Sequence, residues 1–222
     1  MKRPVVLLAL VFTVITVRAD LVIQEKVESA DQNGIVTTKI TGDKSRLDMP
    51  TERLGDVSVI EDLRTGDKIM MIHRRKQAKM VSRAEVEQMD KRDNANAAVL
   101  KLVDTGKSQK VGPYNTEIYT WTNNSDTGST LWVAKDYPDF ARIRAELKKL
   151  YQTPARQMQK GITPDRSTLP GMVVKSKTES PMGERAMTLI SVEEEPVKAT
   201  DFRIPADYQV LGLQMSTGQT SH

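Results

Sequence analysis

Residues 114–136 read YNTEIYTWTNNSDTGSTLWVAKD and hold both tryptophans and two of the five tyrosines of the 222-residue chain. Glu117, Tyr119 and Trp121 alternate with Ile118, Thr120 and Thr122. After the polar turn Asn123–Gly128, Leu131 and Val133 alternate with Trp132 and Ala134. Period-two patterning around a turn predicts a β-hairpin. Both faces of each strand carry apolar bulk, so the hairpin belongs inside a sheet covered on both sides.

The flanking stretches extend that sheet. Towards the N-terminus, Leu21–Glu28 alternates and Asp31-Gln32-Asn33-Gly34 makes a turn. Ile35–Thr41, Ser45–Met49, Val57–Leu63, Lys68–His73 and Gln77–Val81 complete six strands joined by short links, which implies antiparallel pairing. Ser82-Arg83-Ala84-Glu85 has capping-box spacing and opens a helix towards Arg92. Val99–Val103 reads as a strand and Gly106–Pro113 as a loop. Beyond the hairpin, Pro138 suits the first turn of a helix whose apolar stripe is Phe140, Ile143, Leu147, Leu150 and Tyr151. Thr153-Pro154 breaks it, and Ala155–Lys160 adds a short second segment. Met172–Thr178 and Arg185–Glu193 form a last hairpin, Phe202–Pro205 closes the fold, and the tail from Leu213 frays. The predicted fold is mainly β (α+β): a strongly curved antiparallel half-barrel of about ten or eleven strands with one or two packed helices.

Lys2 and Arg3 precede the apolar run Val5–Val17, which ends at Val17-Arg18-Ala19. That layout predicts a secretory signal over residues 1–19, cleaved after Ala19, and the run is too short for a stable bilayer span; an uncleaved N-terminal anchor is the alternative, since Arg18 is unusual in a cleavage region. Residues 20–222 then form a single exported, soluble periplasmic or secreted domain. Lys2, Arg3 and Arg18 are three of the 33 basic residues, so 30 remain against 29 acidic ones. Near-neutral charge argues against nucleic acid as a partner. With no cysteine there are no disulfides, and burial must carry stability.

Catalytic signals are sparse. His73 and His222 are the two histidines, and no nucleophile elbow, phosphate loop or metal-ligand spacing occurs. No catalytic residue, metal site or cofactor is assigned, and an enzyme is not expected. His73 adjoins Arg74-Arg75-Lys76, which reads either as a basic mouth for an anionic head group or, ordinarily, as a solvated hairpin turn. The ten methionines after Met1 allow three readings: a soft-metal site, an adaptable apolar lining, or core filling. A sheet apolar on both sides needs two covers. Helices supply one; the other is barrel curvature around an apolar hollow, unless helices fill it. Met71, Tyr119, Trp121, Trp132 and Phe140 are the candidate lining residues.

The order of Gly42-Asp43-Lys44-Ser45-Arg46-Leu47-Asp48, Glu61–Lys68 with its Thr65-Gly66 turn, Glu117–Trp121, Leu131–Ala134 and Phe202-x-Ile204-Pro205-x-x-Tyr208 resembles an uncharacterised bacterial family of exported domains. That family is similar in outline to the periplasmic lipoprotein carriers, whose half-open barrel encloses an apolar cavity beneath helices. The resemblance implies that fold and, less directly, lipid or acyl-chain binding; the carriers' own functional residues have no match here. The expected function is non-catalytic binding of a lipid, acyl chain or other apolar ligand in the hollow. A structural or interaction protein of the cell envelope, with a protein partner and no ligand, is the alternative, and a carboxylate-dependent hydrolase the third.

Overall fold

The computed structural model describes residues 20–93, 101–122, 127–153, 165–181 and 183–211. Six strands follow one another as an antiparallel meander: β1 (Leu21–Ser29), β2 (Asn33–Thr41), β3 (Lys44–Met49), β4 (Val57–Asp62), β5 (Lys68–Ile72) and β6 (Gln77–Val81). A second meander comprises β7 (Lys101–Val111), β8 (Tyr114–Thr122), β9 (Gly128–Ala134), β10 (Met172–Ser180) and β11 (Gly183–Glu194). β11 pairs with β1, so the two meanders fuse into one curved, unclosed sheet. Leu21, Val22 and Ile23, at that seam, are all buried, as a strand covered on both faces requires.

The described residues form twelve strands, close to the expected ten or eleven. β12 (Gln209–Leu211) lies parallel to β6, the only parallel pair among the described residues. Residues 101–111 form one long strand instead of a strand and a loop. Its register shifts between Asp104 and Ser108, where Gly106 takes φ +67° and Thr105 Oγ1 donates to the Ile118 carbonyl at 2.7 Å. The bulge hides the period-two pattern, because residues on either side of it no longer keep one alternation.

Two helices flank the sheet. α1 (Arg83–Asp93) starts at the expected capping box: the Ser82 amide donates to Glu85 Oε2 at 2.8 Å, and the Glu85 amide to Ser82 Oγ at 3.3 Å. It buries Val86 against Val81 and covers little else among its described side chains. α2 (Phe140–Tyr151) does the covering, with Phe140, Ile143, Leu147 and Leu150 packed on Leu21, Ile23, Ile40, Met172 and Val174. Pro138 lies just outside α2, separated from it by Asp139 in the left-handed conformation.

The opposite face has its own cover. The closing Phe202–Pro205 stretch follows a 3-10 turn at Ala199–Phe202 and runs on as a strap that reaches Tyr208 and β12. Phe202 packs with Ile60, Met71 and Ala78, and Val197, Ile204 and Tyr208 pack around them. The signal segment 1–19, the second helical segment at 155–160 and the tail from 213 lie outside the described residues.

Candidate functional site

Alternation along the strands sends Ile23 and Glu25, Val36 and Thr38, Leu47 and Met49, and Ser129 and Leu131 to the face under α2. Between them and Phe140, Leu147, Leu150 and Tyr151 lies a hollow of about 280 Å³. A smaller space of about 190 Å³ shares Thr38, Leu47 and Leu150 and continues the same surface to Val59, Glu61 and Lys68.

The hollow is graded. Cross-strand pairs Trp121–Ser129, Ser129–Thr178 and Thr178–Arg185 make one polar row over β8, β9, β10 and β11. The next row holds Leu131, Ser176 and Met187. Farther along, Ile23, Thr38 and Leu47 pair across β1, β2 and β3 under the apolar stripe of α2. The polar end also receives Arg166 from a 3-10 turn at Arg166–Thr168. Its Nη1 donates to Glu25 Oε1 at 2.8 Å, and Glu25 is 9% exposed. Desolvation pulls the Arg166 guanidinium down, yet the Glu25 charge, with Tyr151 and the hydrogen bond to Glu25, outweighs it and leaves the group raised. Arg185, on the same wall, is lowered by desolvation and by the nearby charge of Arg166.

Of the five lining candidates, Trp121 and Phe140 line this hollow. Tyr119 shares the Trp121 face and is buried with Leu131, Val133, Leu169 and Val173, its hydroxyl donating to Glu117 Oε2 at 3.1 Å. Trp132 points to the other side of its strand, where Lys175 Nζ sits 5.0 Å from the ring centre and Gln109 Oε1 accepts from Nε1 at 2.8 Å. Met71 is on the far face under the strap. Arg166, Arg185 and Glu25 carry no local motif, and their meeting follows from pairing between strands far apart in sequence.

A second hollow, of about 380 Å³, opens beside Ile60, Ile69, Met80 and Phe202 on the far face. Its polar rim is satisfied by its own turns: Asp62 Oδ1 accepts from the Arg64 and Thr65 amides, each at 2.9 Å, and Asp67 Oδ1 from the Arg83 amide at 2.9 Å. Those backbone bonds hold Asp62 below the usual carboxylate range, with Thr65 the larger contributor. The rim is wired as turn structure.

His73 is not a solvated turn residue. Its Nε2 lies 2.6 Å from Ser58 Oγ and its Nδ1 2.6 Å from Tyr208 Oη. Ser58 Oγ donates to Asp48 Oδ1, which accepts only, so Ser58 receives the His73 Nε2 proton and Tyr208 donates to Nδ1. Arg46 completes the group, its Nε 2.8 Å from Asp48 Oδ1 and its Nη2 3.0 Å from Ser58 Oγ. A serine, a histidine and an aspartate thus meet, but in the reverse order of a nucleophilic triad, in which serine gives its proton to histidine. Ser58 is also 1% exposed. Arg46, Asp48 and Tyr208 belong to the strand and closing motifs noted in the sequence, and their meeting ties the strap down. Among the described residues, no group of three His, Cys, Asp or Glu side chains stands ready to hold a metal, and no helix is long and apolar enough to cross a membrane.

Residues 21–208 match the family described as "Domain of unknown function (DUF4412)". The chain belongs to this family. No curated protein matches the chain. Among solved structures, this DUF4412 chain is similar to the Mycobacterium tuberculosis lipoprotein LppX, with 9% identity over 81% of this chain and 88% of that one and a TM-score of 0.44. LprF from Mycobacterium bovis gives 10% identity over 86% and 90%, with a TM-score of 0.36. A putative outer membrane lipoprotein-sorting protein domain from Vibrio parahaemolyticus gives 8% over 83% and 89%, with a TM-score of 0.27.

Proposed function

We propose that this DUF4412 chain is an exported, non-catalytic binding protein that holds an apolar or amphipathic ligand, such as a single acyl chain, beneath α2. The observation that carries the reading is the hollow of about 280 Å³, walled by Ile23, Leu47, Leu131, Phe140 and Leu147 and polar at one end. That volume falls just below the usual range of ligand pockets, roughly 300–1,000 Å³, and suits one chain rather than several. Export is supported by Lys2, Arg3, the Val5–Val17 run and Ala19, which direct the chain to the periplasm or beyond the cell. The reversed proton order around Ser58 supports a binding role over hydrolysis.

Trp121→Ala tests the hollow. A tryptophan packed on all sides costs about 3–5 kcal/mol when truncated. Trp121 has Leu131 and Val173 on one side and existing space on the other, so the loss is expected at about 3 kcal/mol by urea denaturation. Binding of a neutral fluorescent probe, N-phenyl-1-naphthylamine, should weaken sharply in the same variant. Absence of saturable probe binding by the unaltered protein, with no lipid co-purifying by native mass spectrometry, sinks the reading and leaves an envelope structural protein.

A further inference from the structure

Native proteins leave few buried polar atoms without a partner, and each one asks for a reason. Among the described residues four such side-chain atoms remain: Glu61 Oε1, Trp121 Nε1, Arg144 Nε and Arg185 Nε. Glu61 has the Lys68 ammonium 4.0 Å away, and the Arg144 guanidinium bonds the Leu169 carbonyl through Nη2 at 2.8 Å. The other two, Trp121 and Arg185, both line the hollow and stand at the two ends of its polar cross-strand row.

Both orphans are donors. Between them sit Ser129 and Thr178, their hydroxyls 2.5 Å apart. One hydroxyl uses its proton on the other, so the pair retains one O–H proton to give outward. The charge has the same sign as the donors. Glu25, Arg166 and Arg185 are the charged residues lining the hollow, and Glu25 is already engaged by Arg166. Arg185 makes no ion pair among the described residues: Glu25 and Asp31 act on it only through space, which leaves its partly buried guanidinium short of an anion in contact. The apolar remainder of the hollow leads away from this end towards Ile23 and Leu47.

We propose that the ligand is a single-chain amphiphile with an anionic head, a carboxylate or phosphate, held by Arg185, Trp121 and the Ser129–Thr178 hydroxyls, its acyl chain running under α2. This rests on the hollow being a ligand site. A planar guanidinium matches the oxygen pair of either head group. The basic group that meets the head is then Arg185, and not the Arg74-Arg75-Lys76 turn.

The test is competition against N-phenyl-1-naphthylamine on the exported protein after lipid extraction. Competitors are dodecanoate, dodecyl phosphate, dodecanol, acetate and inorganic phosphate. The two anionic amphiphiles should compete at least about ten-fold more tightly than dodecanol, as expected for a charge-assisted contact. Arg185→Gln should abolish that preference, each competitor being measured against the probe affinity of the same variant. It should also raise the urea midpoint, since desolvation is the largest influence on this half-buried guanidinium and outweighs the distant Glu25 and Asp31; a merely structural arginine would lower it. Arg166 is left unaltered, because its loss would strand Glu25. Equal competition by dodecanol and dodecanoate overturns the anionic head while the hollow stands. Competition by acetate or phosphate alone, as strong as by the amphiphiles, reassigns the row to a free anion and overturns the proposal. A preference that survives Arg185→Gln overturns the assignment to Arg185. If the probe itself fails to bind, this proposal and the hollow reading fall together.

Discussion

Tyr119 and Trp121 lie two residues apart on one strand face, where alternation in the sequence placed them, yet their polar atoms have different surroundings. The Trp121 indole N–H has no partner among the described residues, while the Tyr119 phenol is hydrogen-bonded to Glu117. Desolvation, then that hydrogen bond, pushes Tyr119 up to about 12. Tyr137 is also pushed up to about 12, first by desolvation and then by Tyr114, whose ring centre lies 5.2 Å away. A phenol with a raised folded value stabilises fully below its unfolded value, near 10, and that stability is lost as pH rises through about 12. Urea midpoints should therefore fall steadily above about pH 10, and Tyr119→Phe with Tyr137→Phe should flatten the fall. An unchanged slope in the double variant would assign the alkaline loss to other groups. Facing was legible here because a strand has a fixed period. The partners were not, since Arg166 and Arg185 come from a turn and a strand whose approach depends on distant pairing.

At the level of elements, the first meander was legible strand by strand, because every turn but the last, His73–Lys76, carries Gly, Asn or Asp between alternating runs. β7 was harder to read, since its bulge breaks the alternation, and β12 more so. Gln209, Val210 and Leu211 are all exposed, so no burial pattern marks them as a strand; backbone pairing with β6 does. Gly171, just before β10, has a specific role that its surroundings reveal. A Cβ on Gly171 would stand 2.2 Å from the Ala134 carbonyl oxygen and 2.7 Å from the Lys135 Cα, and these are backbone atoms that cannot swing aside. Gly171 thus permits the close approach with which β10 begins its pairing to the end of β9. Gly171→Ala should destabilise the protein by about 3 kcal/mol, at the upper end for overpacking, by urea denaturation. Because Gly171 also lines the hollow, probe binding should weaken in step. A loss below about 1 kcal/mol would mean that the two strand ends separate freely.

At the scale of the whole molecule, the two faces of the sheet do different work. The face under α2 keeps the graded hollow, whereas the other is covered by the strap from Val197 to Tyr208 except at the second hollow beside Phe202. The strap is fixed at several points. The Val197 amide donates to Asp20 Oδ2 at 2.8 Å, Lys39 Nζ meets Asp201 Oδ2 at 2.7 Å, and Arg46 donates to the Asp201 carbonyl. Tyr208 is bound by His73, and the Gln209 amide donates to the Lys76 carbonyl at 2.8 Å. Arg46 joins more of this wiring than any other side chain described here, reaching Asp48, Ser58 and Asp201 together. Arg46→Met should cost about 3 kcal/mol, because it strips Asp48 of its cation, leaving it only the Ser58 hydroxyl, and takes the donor from the Asp201 carbonyl. The loss should be local before it is global. Hydrogen exchange should quicken first in the strap, β12 and β6, while β8–β10 keep their protection and probe binding beneath α2 stays within about two-fold. Uniform loss of protection across both meanders, with probe binding lost in proportion, would show that the faces are not separable and that the strap sets the shape of the hollow.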